Sequence, residues 1–398
     1  MALHFKQKML LSYNKAMIKR IEELLKEEDS KLFSYAVKNS EHTEREYPET
    51  LHPFRLPLQR DRDRLFHSQA FKRLEYKTQV FINSEGDHFR TRLTHTLEVA
   101  GVSRTVATAL GLNSLLAEVI ALCHDIGHSP FGHAGQDKLS ELMEEKGGFE
   151  HNKQSLRVLR ELENRYIEHP GLNLCLITLM GIMKHGGDYR PSQIGELRKA
   201  YGASLEARVA DVSDEITYNC HDIEDGLEKG YISVKDLSVV SIWQEYYENS
   251  IFLYRNADAK LLRRHVIRRL MNEMILDLVQ HTASEIERLN LKHFSELSEG
   301  KFRNERIIAY SEDMYKKTRE LKKFLHENLY HHPKVEENSN RGKEIIEKLF
   351  QYFLKNLQKV PESYLNRIQE DGEYRVVCDY IAGMTDRYAE QKYKEIYC

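Results

Sequence analysis

The stretch Cys123-His124-Asp125-Ile126-Gly127-His128-Ser129-Pro130-Phe131-Gly132-His133 holds three histidines and a carboxylate within ten residues. One histidine near a helix end is ordinarily a capping or packing residue. Imidazole nitrogens and a carboxylate at this density suit a borderline or hard divalent metal with room left for water. The preceding run, Leu115 to Cys123, repeats Leu116, Val119, Ile120 and Cys123 at helical spacing, so the His124-Asp125 doublet is expected to close a buried helix. Gly127, Pro130 and Gly132 stop that helix and form a tight loop that turns His128 and His133 back toward the doublet. A His-Asp doublet alone is a weak signal, so further ligands must come from elsewhere in the chain.

Two other segments offer them. Asp87 to Val99 opens a helix reaching about Leu112, in which His95, Val99, Val102 and Val106 share an inward face and Arg92 lies one turn before His95. An arginine beside a metal site makes sense if a phosphate comes between them. Leu205 to about His221 is a helix with a buried stripe of Leu205, Val209, Val212 and Ile216, while Asp211, Asp214, Tyr218 and Asp222 follow along a neighbouring stripe. Aligned carboxylates repel by a few tenths of a kcal/mol per exposed pair, roughly the scale of opposite-sign helix pairs. From this segment alone the stripe reads as a solvated face, with a line of ligands and substrate contacts as the alternative.

The elements that must position these groups are helical. Few prolines (8), 41% hydrophobic residues and periodic segments rich in Leu, Glu, Lys and Arg indicate a predominantly all-α protein, and 398 residues suffice for a sizeable core in one large or two smaller domains. The strand-like run Thr78 to Ile82 is short and isolated. A formal charge of −3 argues against bulk nucleic acid as a partner. Cys123, Cys175, Cys220, Cys378 and Cys398 form neither a CxxC pair nor a regular framework, which reads as reduced thiols in a cytoplasmic protein. Met9 to Lys26 alternates apolar and charged residues as an amphipathic helix and not a signal peptide, and no run approaches the roughly 20 apolar residues of a membrane span.

Gln59 to Gln79 is strongly basic with Leu65, Phe66, Phe71, Leu74 and Tyr76 interleaved; it reads as an amphipathic helix with a solvated charged face, or as a wall of cations facing a small polyanion. Phe149-Glu150-His151-Asn152 introduces another helix through Leu156, Leu159 and Leu162. Met183 to Tyr189 is a loop that could bind an anion or be a surface turn. Lys260 to Arg269 is a basic amphipathic helix suited to a subunit contact or a solvated face, and Arg375 to Tyr388 is apolar enough to pack back on the core. There is no repeat and no flexible linker.

A histidine on one helix, a His-Asp doublet ending another and an aspartate on a third resemble the HD-domain metal-dependent phosphohydrolases, and within them the bacterial deoxyguanosine triphosphate triphosphohydrolases and their dNTPase relatives. The matching segments are His67 to Gln79, Arg90 to His95, His124 to Gly135, Asp214 to Tyr218 and Cys378 to Tyr388. The resemblance implies an HD-domain helical core at 51–235, an N-terminal extension at 1–50 and a C-terminal helical region at 236–398 packing on the core. It implies His95, His124, Asp125 and Asp214 as ligands of a divalent metal (Mg, Mn, Fe, Ni, Co or Zn), with Asp214 preferred to Asp211 because relatives place the ligand four residues before the tyrosine matching Tyr218. It implies His128, His133 and His151 around the scissile phosphate, Arg92 as the phosphate-binding arginine, Arg73 and Lys77 beside it, Gln79 on the sugar 3′-hydroxyl, and Tyr218 and Asp222 as sugar and substrate contacts. A homo-oligomer, tetramer or hexamer, and an effector nucleotide belong to the same expectation.

The expected reaction is metal-dependent attack of water on the α-phosphate of a dNTP, dGTP foremost, releasing deoxynucleoside and tripolyphosphate. Alternatives are another HD phosphohydrolase acting as a nucleotidase, or a catalytically weak nucleotide-binding sensor. An alarmone hydrolase is disfavoured, because those enzymes extend the doublet to His-Asp-x-x-Glu-Asp whereas His128-Ser129 follows here. One position departs from the pattern. Relatives usually carry Glu or Asp after the Ala-Gly that follows His133, where it orients or polarises a catalytic histidine, and this chain has Gln136, which implies lower turnover or substitution by Asp137 or another carboxylate.

Overall fold

The computed structural model describes residues 18–79, 90–183, 204–299, 301–302 and 305–398. Among the described residues there is no strand, only isolated bridges joining Arg45 to Cys175 and Thr78 to Thr91. The chain is all-α, with the helical core and additional C-terminal helices that the sequence led one to expect.

Three helices carry the ligand candidates, and each has a local reason to start where it does. Helix α1, Arg92–Ala109, begins at Thr91, whose hydroxyl accepts the backbone N–H of Thr94 while the Thr94 hydroxyl accepts that of Thr91; this reciprocal cap satisfies two otherwise orphaned donors. Helix α2, Ser114–Cys123, is capped by the Asn113 side chain. It is apolar apart from Ser114 and Glu118, and Leu116, Val119 and Ile120 are fully buried, each favouring the fold by about 1.5–3 kcal/mol on leaving water. Helix α3, Leu205–Lys229, starts at Ser204 and ends at Gly230, whose φ of 68° closes it in the left-handed region. It runs two turns beyond His221, so Asp222 lies within the helix. The three helices pack on one another, which brings His95, the doublet and Asp214 together from sites far apart in sequence.

The loop after the doublet leads into α4, Gly132–Leu142, through Phe131 in a left-handed conformation (φ 61°). Helix α5, His151–Arg157, continues as a π-helical turn, Val158–Leu162. The glycine at position 127 lets α5 lie against the doublet loop: a Cβ there would stand 2.2 Å from the Ser155 nitrogen and 2.3 Å from the His151 carbonyl oxygen. Ser155 closes this contact, accepting from the Gly127 N–H and donating to the His124 carbonyl.

Two apolar cores result. The first takes in α1, α2, α3 and the downstream helices α6 (Ser241–Leu253), α7 (Ala259–Leu289) and α8 (Glu312–Leu325). The second joins α4 to the last three long helices, α9 (Pro333–Lys355), α10 (Glu373–Ala382) and α11 (Asp386–Tyr397), through Phe131, Leu139, Met143, Phe350, Val377 and Ile381. The Arg375–Tyr388 stretch therefore packs inward, but on this second core. The basic start of α7 is paired to α3, with Lys260 and Arg264 on Glu228.

The basic stretch before the site is neither a solvated face nor an open wall of cations. It breaks at Ser68 into Pro57–His67 and Gln69–Arg73, and most of its guanidinium groups meet internal acceptors: Arg60 and Arg64 on Glu49, Arg62 on Glu118, Arg64 also on the Leu172 and Asn173 carbonyls. Burial opposes the charge on Glu49, but Arg64, Asn173 and Arg60 outweigh it and pull its pKa down to about 2. All of the expected anion-binding loop after Met183, and the first half of the expected helix at 9–26, lie outside the described residues, the amphipathic helix being described as Ile21–Asp29. Cys123, Cys175, Cys220 and Cys378 are free and buried, and Cys398 is exposed. No helix among the described residues is long and apolar enough to cross a membrane.

Candidate active site and metal centre

His95, His124 and Asp214 each bring one donor atom into a group lying within 4.8 Å of one another. His95 Nε2 is 3.0 Å from Asp214 Oδ1, and His124 Nε2 is 3.6 Å from the same oxygen. Donors about 3 Å apart are what bonds of about 2.1 Å at right angles require. His124 supplies the clearer sign of fit. Its Nδ1 lies 2.6 Å from the Ala121 carbonyl oxygen, so that nitrogen carries the proton, and its buried Nε2 has no hydrogen-bond partner. A bare imidazole nitrogen aimed at a carboxylate-lined space is a ligand geometry. The two-nitrogen, one-oxygen set suits a divalent transition metal or magnesium.

Asp125 stands beside this trio and not inside its tightest grouping. Its Oδ1 is 3.3 Å from His124 Nε2 and 3.3 Å from His128 Nε2, and its Oδ2 accepts from Arg92 at 2.9 Å. Burial would raise its pKa, but His124, Arg92 and His128 hold it well below the usual carboxylate range. Arg92 thus pairs with a carboxylate directly, where a phosphate between arginine and metal was expected, and its buried Nε remains without a partner.

Around Asp125 the other histidines gather. The His128 ring is stacked on that of His151 at 4.1 Å and meets that of His133 edge-on at 5.7 Å. Burial, with Arg92 adding to it, pushes the pKa of His128 well down and that of His133 down from the ordinary imidazole value. His151 Nδ1 lies 2.6 Å from Gln136 Oε1, which also accepts the His151 backbone N–H at 3.2 Å. Gln136 therefore occupies the orienting position on His151. Asp137 does not substitute for it, being largely exposed and 3.7 Å from Lys343. The nearby carboxylate is Glu150, 3.2 Å from His151 Nδ1, which also caps α5.

The stripe on α3 is not a solvated face. Asp214 is turned to the histidines, Tyr218 is half-buried, and Asp222 is buried and accepts a hydrogen bond from Tyr330. Burial raises Asp222 to about 7 even though the Tyr330 hydroxyl opposes the shift. The Lys322 ammonium sits 5.4 Å from the Tyr218 ring centre. Gln79 has a buried, unpartnered Oε1, and Arg73 reaches Glu163 at 4.0 Å with its Nε unpartnered. Lys77 departs from its expected place facing the substrate. It is 2% exposed, and its ammonium donates to the carbonyls of His128 and Ala382, so it braces the loop from behind. Burial lowers its pKa to about 7.

Sequence reasoning missed three participants. Tyr330 lies in a second π-helical turn, His326–Tyr330. His221 faces His95 from α3, its Nδ1 3.4 Å from His95 Nδ1. Asp386 accepts the Thr78 N–H at 2.8 Å with one oxygen and the Phe131 N–H at 2.9 Å with the other. The adjacency of His221 to Asp222 in the stripe is a signal that could have been followed; for Tyr330 and Asp386 no local pattern marks the role.

Residues 92–219 match the HD domain, and residues 308–395 match the phosphohydrolase-associated domain. A deoxyguanosinetriphosphate triphosphohydrolase-like protein of Leptospira interrogans is 52% identical over 94% of this chain and 98% of its own length. The chain belongs to this HD-domain, deoxyguanosinetriphosphate triphosphohydrolase-like family. Similar proteins of the same description occur in Geobacter metallireducens, 42% identical over 93% of this chain and 96% of the relative, and in Bordetella pertussis, 43% identical over 92% and 97%. The HD match spans every ligand candidate from His95 to Asp214, and the phosphohydrolase-associated match spans Tyr330 and Asp386. The family is one of phosphohydrolases, and the His95, His124 and Asp214 group could hold the divalent metal that HD domains bind.

Proposed function

We propose that this protein hydrolyses a deoxynucleoside triphosphate, dGTP foremost, to the deoxynucleoside and inorganic tripolyphosphate. The observation that carries the reading is the convergence of His128, His133 and His151 beside the His95, His124, Asp125 and Asp214 set, with Asp125 touching both His124 and His128 and paired to Arg92. A bound divalent metal would supply polarisation of a phosphoryl oxygen and a more acidic water. His95, His124, Asp125 and Asp214 would hold it.

The chain's own groups divide the remaining work. Arg92, anchored by Asp125, keeps its unpartnered Nε for an α-phosphate oxygen and offsets charge developing there. Water adds to the α-phosphorus and gives up a proton to solvent as the bond from phosphorus to the 5′-oxygen breaks, and the leaving oxygen takes a proton from an acid that solvent then reprotonates. His151 is the best-placed donor, because it is oriented by Gln136 and has Glu150 nearby, whereas His128 and His133 are pushed toward the neutral form. His128 and His133 then contact the phosphate as neutral rings. Gln79 and Asp222 hydrogen-bond the 3′-hydroxyl, and Tyr218 crowds the space a 2′-hydroxyl would need.

The test is a product assay of the metal-loaded full chain against the four dNTPs and GTP, separating tripolyphosphate from pyrophosphate and phosphate. Tripolyphosphate from dNTPs and little turnover of GTP are expected. Monophosphate cleavage would move the protein to the nucleotidases. Nucleotide binding without turnover would favour a sensor, a reading to which Gln136 lends support.

A further inference from the structure

The two histidines of the metal cluster have their tautomers fixed by different means. His124 donates from Nδ1 to a carbonyl of its own helix, that of Ala121. The Nδ1 of His95 meets the Nδ1 of His221 at 3.4 Å, the rings 78° apart. Two imidazole nitrogens facing each other can share only one proton, so which ring donates has to be decided elsewhere.

The decision is made one residue further out. His221 Nε2 is hydrogen-bonded to the Glu98 carboxylate. A carboxylate can only accept, which places a proton on His221 Nε2 and leaves the Nδ1 of a neutral His221 bare. That nitrogen then accepts from His95 Nδ1–H, and His95 Nε2, the atom facing Asp214, is left with a free lone pair. Glu98 is itself braced by Arg90, whose Nε is 3.5 Å away and whose other nitrogens hold Glu224 at 2.7 Å and Asp225 at 3.1 Å. All these groups lie on α1, α3 or the residues leading into α1, the two helices that supply His95 and Asp214.

We propose that Glu98 and His221 are positioning residues that set the tautomer and ring orientation of His95 for metal binding through a carboxylate–imidazole–imidazole chain. The proposal rests on His95 being a ligand, and the test separates the two. His221 is buried, so a merely structural role would lower stability without a selective effect on metal, and a side chain restoring only the acceptor would not rescue it.

The full-length protein, stripped of metal, is titrated with Co2+ against a chromophoric chelator, with the visible absorption of bound cobalt recorded as a signature of its coordination. Wild type is compared with His95→Ala, Glu98→Ala, His221→Phe and His221→Gln, and melting of each metal-free protein is measured alongside. Loss of an outer partner of a ligating histidine typically weakens metal by about 10–100-fold. His221→Phe is expected in that range and Glu98→Ala at about tenfold, while His221→Gln, whose amide oxygen accepts from His95 Nδ1, stays within about threefold of wild type. Glu98→Ala combined with His221→Phe should bind no more weakly than His221→Phe alone, as links of one chain are not additive. Wild-type affinity in Glu98→Ala and His221→Phe, or an equal loss in His221→Gln and His221→Phe, overturns the chain. Should His221→Phe fail to fold, Glu98→Ala decides, because Glu98 is 43% exposed and its truncation leaves the core intact. Wild-type affinity in His95→Ala would instead remove His95 from the ligand set.

Discussion

Replacing Gln136 with Glu puts a charge where a neutral amide oxygen now sits 2.6 Å from His151 Nδ1. With the charges spread over carboxylate and ring, the effective separation is about 4 Å, worth roughly 4 kcal/mol at an effective dielectric constant of 20. At 1.36 kcal/mol per unit this would raise the imidazole by about three units. Two features reduce it: the new carboxylate must itself lose water, and Glu150 already lies 3.2 Å from the same nitrogen. A rise of about one unit is the expectation. A histidine that donates a proton must be protonated before the step, so activity is lost as pH rises through its pKa, and raising that pKa moves the alkaline limb upward. Well above the limb Gln136→Glu should be about tenfold faster than wild type, and well below it the two should coincide. Steady-state kcat across pH 5.5 to 9.5 reads this directly. Asp137→Asn serves as the control and should leave the profile in place, since Asp137 faces Lys343 and not the ring. Superimposable wild-type and Gln136→Glu profiles would refute the assignment of His151 as the acid, as would a displaced limb in Asp137→Asn.

Three further outcomes are expected. Asp214→Ala should reduce bound metal by at least about tenfold and abolish hydrolysis while Asp211→Ala retains both, measured as metal content by mass spectrometry and as dNTP turnover; equal metal in Asp214→Ala and wild type would remove Asp214 from the ligand set. Wild type should favour dGTP over GTP by about a hundredfold in kcat/KM, and Tyr218→Ala should narrow that ratio, because removing a steric gate relaxes discrimination without deleting the chemistry. In Asp386→Asn one oxygen can serve only one of the Thr78 and Phe131 N–H groups, leaving a buried donor unmatched at about 1–3 kcal/mol; the denaturation midpoint should fall and kcat should drop with it, and an unchanged midpoint would count against the double contact.

What could be read from the sequence was whatever obeys a local rule. The apolar run of α2 ending at a His-Asp doublet, the glycines and proline that turn the next loop, and the inward face of His95, Val99 and Val106 all express short-range spacing, and the structure places them accordingly. The electrostatic partners were not legible, because they are decided by residues distant in the chain. Lys77 looked like a substrate cation, but its ammonium donates instead to the carbonyls of His128 and Ala382. The α3 stripe looked solvated because burial of Asp222 depends on Tyr330, 108 residues away. Gln136 was visible as a departure, but which histidine it serves and how near Glu150 stands required the packing of α5 on Gly127.

The pairing of Asp386 with Phe131 spans 255 residues of chain. At about 5–20 residues per second of synthesis, the loop bearing His128 and His133 leaves the ribosome roughly 10–50 s before the carboxylate that fastens it. Over that interval α1 and α2 can already assemble, yet the backbone N–H groups of Thr78 and Phe131 have only water to bind, and the second apolar core has no far side. The brace on the histidine loop is therefore among the last contacts the growing chain acquires. The order in which the residues are made thus withholds the fastening of the histidine loop until the C-terminal helices have emerged.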